Sequence, residues 1–407
     1  MLTPAGKYAA CGTLLSVPAL VLEGKMDHRA IPLVLLALAA AIPPEVAWSF
    51  SPGSGMSPPC VHQTLVFVGT EDGRMISLYA YNGEKRWEVQ VGGEASYLSA
   101  SGEMVVAAFS ENLICFEASD GRILWSVSLG SRLVGPPLVE NRSMFLALQD
   151  GSVVSIDVSG SRLWERNLRE RISAGPVLSG SLLVGTWEGN IYILNPSSGE
   201  VERTVSLGLL HPVSSGLVVE GGTAYAAAGS TLFAISISSG DVLWSLDFGS
   251  AVTSLSLQGG RVYVGVSENV LMIEAGSWRV VWSTKIDSKP LALSSDGGRV
   301  VAGTADGRLV CLDSDGRKVW EIRSGVPASP PVLAYGKVFL TTSDGRLVCL
   351  GSWGTTGQQD RWKGYLFLVL AILCWCLFLS LEAKVRRGRR PRRRRARGRS
   401  RAKAKRA

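Results

Sequence analysis

RVVAGTADGRLVCLDSDGRKVW, residues 299–320, reads as two β-strands and the start of a third. Val300 to Thr304 and Leu309 to Leu312 are short apolar runs. Asp306-Gly307 between them supplies residues that tolerate positive φ, the strongest short hairpin signal. After a second turn, Asp313 to Gly316, the chain reaches Trp320, four residues beyond the turn glycine. The unit recurs as KVFLTTSDGRLVCLGSW over 337–353, and again as Leu65 to Thr70 followed by Met75 to Leu78. Asp72-Gly73, Asp150-Gly151 and Asp344-Gly345 mark the same tight hairpin. A strand of small and apolar residues precedes the hairpin, as in Ala174-Gly175-Pro176-Val177-Leu178, and a Trp-bearing strand follows it, as in Leu163 to Asn167. Four antiparallel strands in about 38 residues is the length of one propeller blade.

Across the rest of the chain, Trp48, Trp87, Trp125, Trp164, Trp244, Trp282 and Trp320 stand 38 or 39 residues apart, with one gap of 80 after Trp164. Arg203 fills that gap, four residues after Gly199. Hairpins begin near Val66, Val105, Phe145, Leu183, Tyr225, Val262, Val300 and Val338, which makes eight. Trp-type strands also number eight, but the first, at Trp48, precedes the first hairpin, and no proper Trp strand follows the last one. Closure of a ring resolves the mismatch: the strand at 47–50 completes the blade made by 328–351, and no sheet edge is left open between the ends. The expected fold is therefore all-β: an eight-bladed β-propeller of four-stranded antiparallel blades, closed by an N-terminal strand, over residues 46–353. The seven tryptophans are expected to be structural, each indole packing one blade on its neighbour. A ladder that binds sugars or aromatic ligands is the functional alternative.

The element seen at Phe116 to Trp125 (FEASDGRILW) and at Cys311 to Trp320 (CLDSDGRKVW) resembles the tryptophan-docking repeat of pyrroloquinoline-quinone-type (PQQ-like) β-propellers. Eight compact blades with short loops resemble the BamB-type outer-membrane assembly propellers within that group. The resemblance covers roughly residues 46–353 and implies the fold strongly. It implies function weakly, because this propeller carries many unrelated activities.

Enzymes of that fold resemble one another in having adjacent cysteines over a quinone, a Ca²⁺ held by acidic and amide side chains, and long elaborated loops. This chain has no Cys-Cys pair, and blades under 40 residues leave turns of two to five residues, too little for an enclosed pocket. No catalytic, cofactor-binding or metal-binding residue is expected, and no cofactor. The Asp-Gly aspartates stand singly in two-residue hairpins, whereas Ca²⁺ needs several oxygens converging in one loop. Three scattered histidines (His28, His62, His211) offer little for a metal or triad site. Among seven cysteines, Cys115, Cys311 and Cys349 occupy one equivalent strand position (LICFE, LVCLD, LVCLG) and read as small packing residues. Cys60 has no evident partner, Cys11 lies upstream, and Cys374 and Cys376 fall in an apolar run, so no disulfide framework is expected.

The apolar fraction of 46% and charged fraction of 19% exclude a disordered chain. The net charge of +8 is misleading: Lys384 to Ala407 holds 15 Lys/Arg and no acid, which leaves 27 basic against 34 acidic residues before it, a net −7. Residues 1–42 read as an upstream extension plus a signal sequence, with the apolar run Ala30 to Ile42 behind Lys25, His28 and Arg29 and a second start available at Met26. No lipobox cysteine follows that run, where Ile42-Pro43-Pro44 stands. Residues 354–363 read as a linker and 364–381 as a transmembrane helix with Trp362, Lys363 and Tyr365 at the interface. Residues 382–407 read as a cytoplasmic tail that meets anionic lipid headgroups. No aromatic residue interleaves that tail, so no nucleic-acid partner is expected. The resulting expectation is a non-enzymatic, single-pass cell-membrane protein whose extracytoplasmic propeller binds an envelope protein or a cell-surface polymer. The alternatives are a quinone-dependent (PQQ) dehydrogenase, and a ligand sensor signalling through the transmembrane helix.

Overall fold

The computed structural model describes residues 44–208 and 211–351. Among these residues the ordered elements are strands, gathered into eight four-stranded antiparallel sheets. Blades 1 to 7 cover residues 60–90, 95–128, 138–167, 172–206, 213–247, 252–285 and 290–323. In blade 8, strands Val332–Ala334, Lys337–Thr342 and Arg346–Leu350 are joined by Val46–Phe50 as the outer strand. That pairing sets Trp48 against Cys349 and Phe50 against Leu347, and Gly351 N donates to Glu45 O at 2.8 Å beyond its end.

Each blade runs from a first strand at the hub to a fourth at the rim. The second and third strands are buried on both faces, as in Leu65–Gly69 and Arg74–Tyr79, which is why they read as unbroken apolar runs. Outer strands alternate between exposed and half-buried residues, as in Val242–Asp247. In every outer strand the register slips by one residue immediately before the Trp position, for example between Lys85 and Trp87 and between Lys318 and Trp320. Such a bulge bends the strand and re-aims the next side chain, here toward the following blade.

Space for the indole comes from the third strand. Directly across from six of the tryptophans stand Ser77, Cys115, Ser155, Ala234, Cys311 and Cys349, all small. The seventh, Trp282, faces Met272, whose unbranched side chain can bend aside. Where Arg203 replaces the tryptophan, the facing residue is the β-branched Ile193. The buried apolar side chains fall into eight clusters, one at each junction between blades. The junction of blades 8 and 1 is built like the rest, with Phe339, Leu347 and Cys349 against Val66, Val68, Ile76 and Leu78. Lys337 Nζ adds a polar contact across it, donating to Ala80 O at 3.2 Å and Tyr81 O at 3.1 Å.

The turns are not uniformly short. The connections entering blades 1, 3 and 8 span 51–59, 129–137 and 324–331. Each ends in a Pro-Pro pair (58–59, 136–137, 330–331). Proline lacks the N–H that a ladder needs, so the first strand breaks into an isolated bridge (Met56–Thr70, Leu133–Leu148, Pro327–Thr342) and a remnant of three residues. The expected signal segment, the apolar run 364–381, Trp362, Lys363, Tyr365 and the Arg-rich tail lie outside the described residues.

Candidate functional site

A propeller offers two end faces, and here they differ chemically. One, the Asp-Gly end, carries the turns between second and third strands and the connections between blades. In the adjoining blades 7, 8 and 1 the turn is Thr-x-Asp-Gly-Arg, and its side chains close on one another. Thr70 Oγ1 donates to Asp72 Oδ1 at 2.5 Å and Arg74 Nε to both Asp72 oxygens at 3.0 Å, while Arg74 Nη1 reaches Glu88 at 3.1 Å. Thr304–Asp306–Arg308 and Thr342–Asp344–Arg346 repeat the arrangement. The hydrogen bond from Arg74, then that from Thr70, holds the Asp72 carboxyl down at about 2. Blade 4 reaches the same end differently: Glu170, from the connection between blades 3 and 4, accepts from Thr186 at 2.8 Å, Asn190 at 3.0 Å and Tyr192 at 2.9 Å. Partial burial pushes its carboxyl up, but those three donors outweigh it and leave it below the usual range. Nearby, Arg171 lies 5.3 Å over the half-exposed ring of Trp187.

The opposite end, the indole end, carries the turns between third and outer strands. Five indoles cross to the next blade there and donate to a turn carbonyl: Trp48 to Ala80 at 3.2 Å, Trp87 to Ala118 at 3.0 Å, and Trp125, Trp164 and Trp282 to Val158, Pro196 and Ser314 at 2.9 Å. The turn glycine lies flat under each ring. A β-carbon at Gly83, Gly121, Gly160, Gly199 or Gly316 would stand 2.4–2.9 Å from an indole carbon, and all five have positive φ, so only glycine fits. The remaining positions depart from this pattern. Arg203 lays its aliphatic stem over Gly240, where an added β-carbon would stand 3.3 Å from its Cδ. Trp320 is buried, and its Nε1 has no partner among the described residues. Trp244 faces Trp278, not a glycine. Spacing alone would have found Trp278, since it stands four residues before Trp282 in the turn-glycine slot.

Between blades 3 and 4 the indole end opens into a groove of about 500 Å³, walled by Phe145, Leu163, Trp164 and Leu178 with Glu140 and Asn141 at its edge. The corresponding space between blades 8 and 1 is about 150 Å³, lined by Lys337, Tyr81 and Tyr335 among others. Burial pushes the thiols of Cys115 and Cys311 up to about 12 and those of Cys60 and Cys349 to about 11, so all four behave as packing groups.

A quinone with its Ca²⁺ would need free acidic and amide oxygens converging beside stacked cysteines. The turn carboxylates of blades 7, 8 and 1 are each spent on a threonine and an arginine of their own blade, and the chain has no adjacent cysteines. These residues do not fit the group, and no chemistry through it is derived.

The family model described as outer membrane protein assembly factor BamB matches residues 41–109, 98–284 and 268–360. The outer membrane protein assembly factor BamB of Burkholderia pseudomallei (strain K96243) is 26% identical over 187 residues, 43% of this chain and 49% of the relative. The chain thus spans about half the length of the curated relatives it matches. Among solved structures, BamB from Moraxella catarrhalis superposes with a TM-score of 0.66 at 18% identity, covering 76% of this chain and 99% of that one. A quinohemoprotein alcohol dehydrogenase from Pseudomonas putida HK5 superposes with a TM-score of 0.62 at 12% identity, covering 76% of each. At such identities these likenesses establish the fold alone.

One expectation is corrected. The sequence suggests a single-pass cell-membrane protein with an extracytoplasmic propeller and a cytoplasmic tail. Among the described residues no helix is long and apolar enough to cross a membrane, and the curated relatives are named outer membrane protein assembly factors. The apolar run 364–381 on which that reading rested lies outside the described residues. Repeat, ring and family model agree on one conclusion: the chain belongs to the BamB family of outer membrane protein assembly factors.

Proposed function

We propose that this chain is a non-enzymatic scaffold that binds another protein of the cell envelope, as the name of its relatives, assembly factor, describes. The observation that supports this reading best is the internal use of the polar groups at the Asp-Gly end. Thr70–Asp72–Arg74, its two repeats and the Glu170 cluster satisfy their own blades, so the face is rigid and shaped but chemically quiet. Rigid, shallow surfaces suit recognition of a large partner, which needs on the order of 800 Å² per side and no deep pocket. Residues 46–353 would form the binding domain, and the seven repeat tryptophans would dock its blades. Affinity capture with the tagged full-length protein from envelope extracts under mild crosslinking tests this. A stoichiometric protein partner is the expected result; recovery of the lone chain would overturn it. The rival reading, a quinone-dependent dehydrogenase, has fold likeness behind it. Dye reduction by an alcohol after addition of quinone and Ca²⁺ would establish that reading in place of the scaffold.

A further inference from the structure

Asn141-Arg142 forms the tight turn between the first two strands of blade 3, with Glu140 and Ser143 paired across it. The turn lies at the indole end, and its asparagine is exposed at φ +57°, in the slot that Gly102 fills in blade 2. A left-handed turn favours glycine or asparagine, so the backbone alone explains residue 141. It is silent on the serine two residues further. Asn141-Arg142-Ser143 reads Asn-x-Ser, the acceptor triplet for an N-linked sugar chain, and none of the other six asparagines in the sequence opens an Asn-x-Ser/Thr triplet free of proline. Asn195 comes nearest, but Pro196 holds its middle position and its amide is engaged, Nδ2 donating to Glu202 at 3.2 Å. The Asn141 amide and the Ser143 hydroxyl have no partner among the described residues, and neither is sealed from solvent. A second observation meets this one in space. The groove of about 500 Å³ between blades 3 and 4 begins at the same turn, where Asn141 and Ser143 line it together with Glu140, Leu163 and Ser197. Its wall mixes an apolar side chain open to solvent, Leu163 at 54% exposure, with the carboxylate of Glu140 and the hydroxyl of Ser197, which are unpaired among the described residues.

We propose that Asn141 is a modification site: it carries an N-linked glycan whose first sugar residues lie in the groove between blades 3 and 4. The proposal goes beyond the scaffold reading and takes from it only an envelope location. The donor is an oligosaccharide carried on a polyprenyl phosphate. Asn141 Nδ2 forms a bond to the anomeric carbon of that sugar, and the bond from this carbon to the phosphate oxygen breaks. The electron pair leaves with the phosphate, one amide proton passes to a base of the transferring enzyme, and nothing is oxidised or reduced. The Ser143 hydroxyl is the part of the acceptor triplet that such an enzyme reads. Once attached, a sugar meets Leu163 with its carbon-bound hydrogens and Glu140 and Ser197 with its hydroxyls, the mixture of apolar wall and few polar groups that a ligand site needs. A freely diffusing sugar fits less well, because the Trp164 indole is already committed to Gly199 and to Phe145 at 6.1 Å. A covalent tether at the edge of the groove makes such weak contacts sufficient, since it raises the local concentration of the sugar.

The test is peptide mass spectrometry on the full-length protein purified from the cells that naturally make it. The peptide holding Asn141 should be heavier by whole sugar residues, with fragmentation placing them on Asn141, and the peptide holding Asn195 should be unmodified. Ser143→Ala should lose the added mass completely, and Ser143→Thr, which keeps the hydroxyl, should retain it. Hydroxyl-radical footprinting should find Leu163 shielded in the wild-type protein and labelled in Asn141→Gly, which keeps the turn and removes the acceptor. A bare Asn141, sugar on the Ser143 hydroxyl, or added mass that survives Ser143→Ala overturns the proposal, and equal labelling of Leu163 in wild type and Asn141→Gly overturns the seating in the groove. An envelope partner captured by protein whose Asn141 is bare refutes the glycan and leaves the scaffold reading intact. A glycosylated chain that captures no partner strikes the scaffold reading instead.

Discussion

The contact between Trp87 and Gly121 permits a calculation that separates packing from backbone preference. Trp87 is 9% exposed, donates to Ala118 O at 3.0 Å, and has Phe67 and Phe116 at ring distances of 5.9 and 6.3 Å. Truncation to alanine should cost about 3–5 kcal/mol, the range for a buried aromatic. Gly121→Ala places a β-carbon 2.6 Å from the indole at φ +78°. The left-handed backbone costs an alanine about 1–2 kcal/mol, and forcing the indole aside adds about 1–3 kcal/mol of overpacking. In the Trp87→Ala background the ring is gone, so Gly121→Ala should then cost only the backbone part. A double-mutant cycle by urea unfolding, followed by circular dichroism, should therefore show a favourable coupling of about 1–3 kcal/mol. Additivity within about 0.5 kcal/mol would refute the account, since the glycine would then serve only its turn.

Arg203→Trp should destabilise despite restoring the repeat, by about 1–3 kcal/mol, because Ile193 fills the space an indole needs; adding Ile193→Ser should recover stability in the same unfolding assay, and no recovery would show that volume is not the conflict. The Asp72 carboxyl, held at about 2 when folded, has an unfolded value of about 3.9. Its contribution is thus complete above about pH 4 and lost as pH falls toward 2. The gap in melting temperature between wild type and Asp72→Asn should close across that window; a constant gap would exclude the ion pair as its source. With thiols raised to about 12 by burial, Cys115 and Cys311 should resist iodoacetamide at about pH 8 in the native protein and label only on unfolding. Peptide mapping that finds either one alkylated at the rate of a free thiol would contradict their packing role.

The blades are legible because each turn advertises itself locally: Asp-Gly pairs tolerate positive φ, and two apolar runs of equal length flank them. The cysteines are legible for a similar reason, since Cys115, Cys311 and Cys349 recur at one register. What escapes is whatever depends on a neighbour in space. The Pro-Pro pairs sit in ordinary loop sequence, and only the missing ladder donors reveal that they cut the first strands of blades 1, 3 and 8 short. The spacing puts Trp278 in the turn-glycine slot, but that its ring stacks on Trp244 shows only in space. The glycines read as turn formers, but half of their purpose is the indole that arrives from the preceding blade. The cell-membrane location is the part corrected, because apolar length reports solvent preference and not which compartment a chain occupies.

The way strand Val46–Phe50 meets Arg346–Leu350 has a mechanical consequence. Glu45 and Gly351 lie side by side at the start of that ladder. Tension between them would strain the Val46–Leu350 pair first, then Trp48–Cys349, then Ser49–Val348 and Phe50–Leu347, in sequence. Load applied there opens the wheel like a zipper, one rung at a time, at far lower force than tearing the same strands lengthwise past each other.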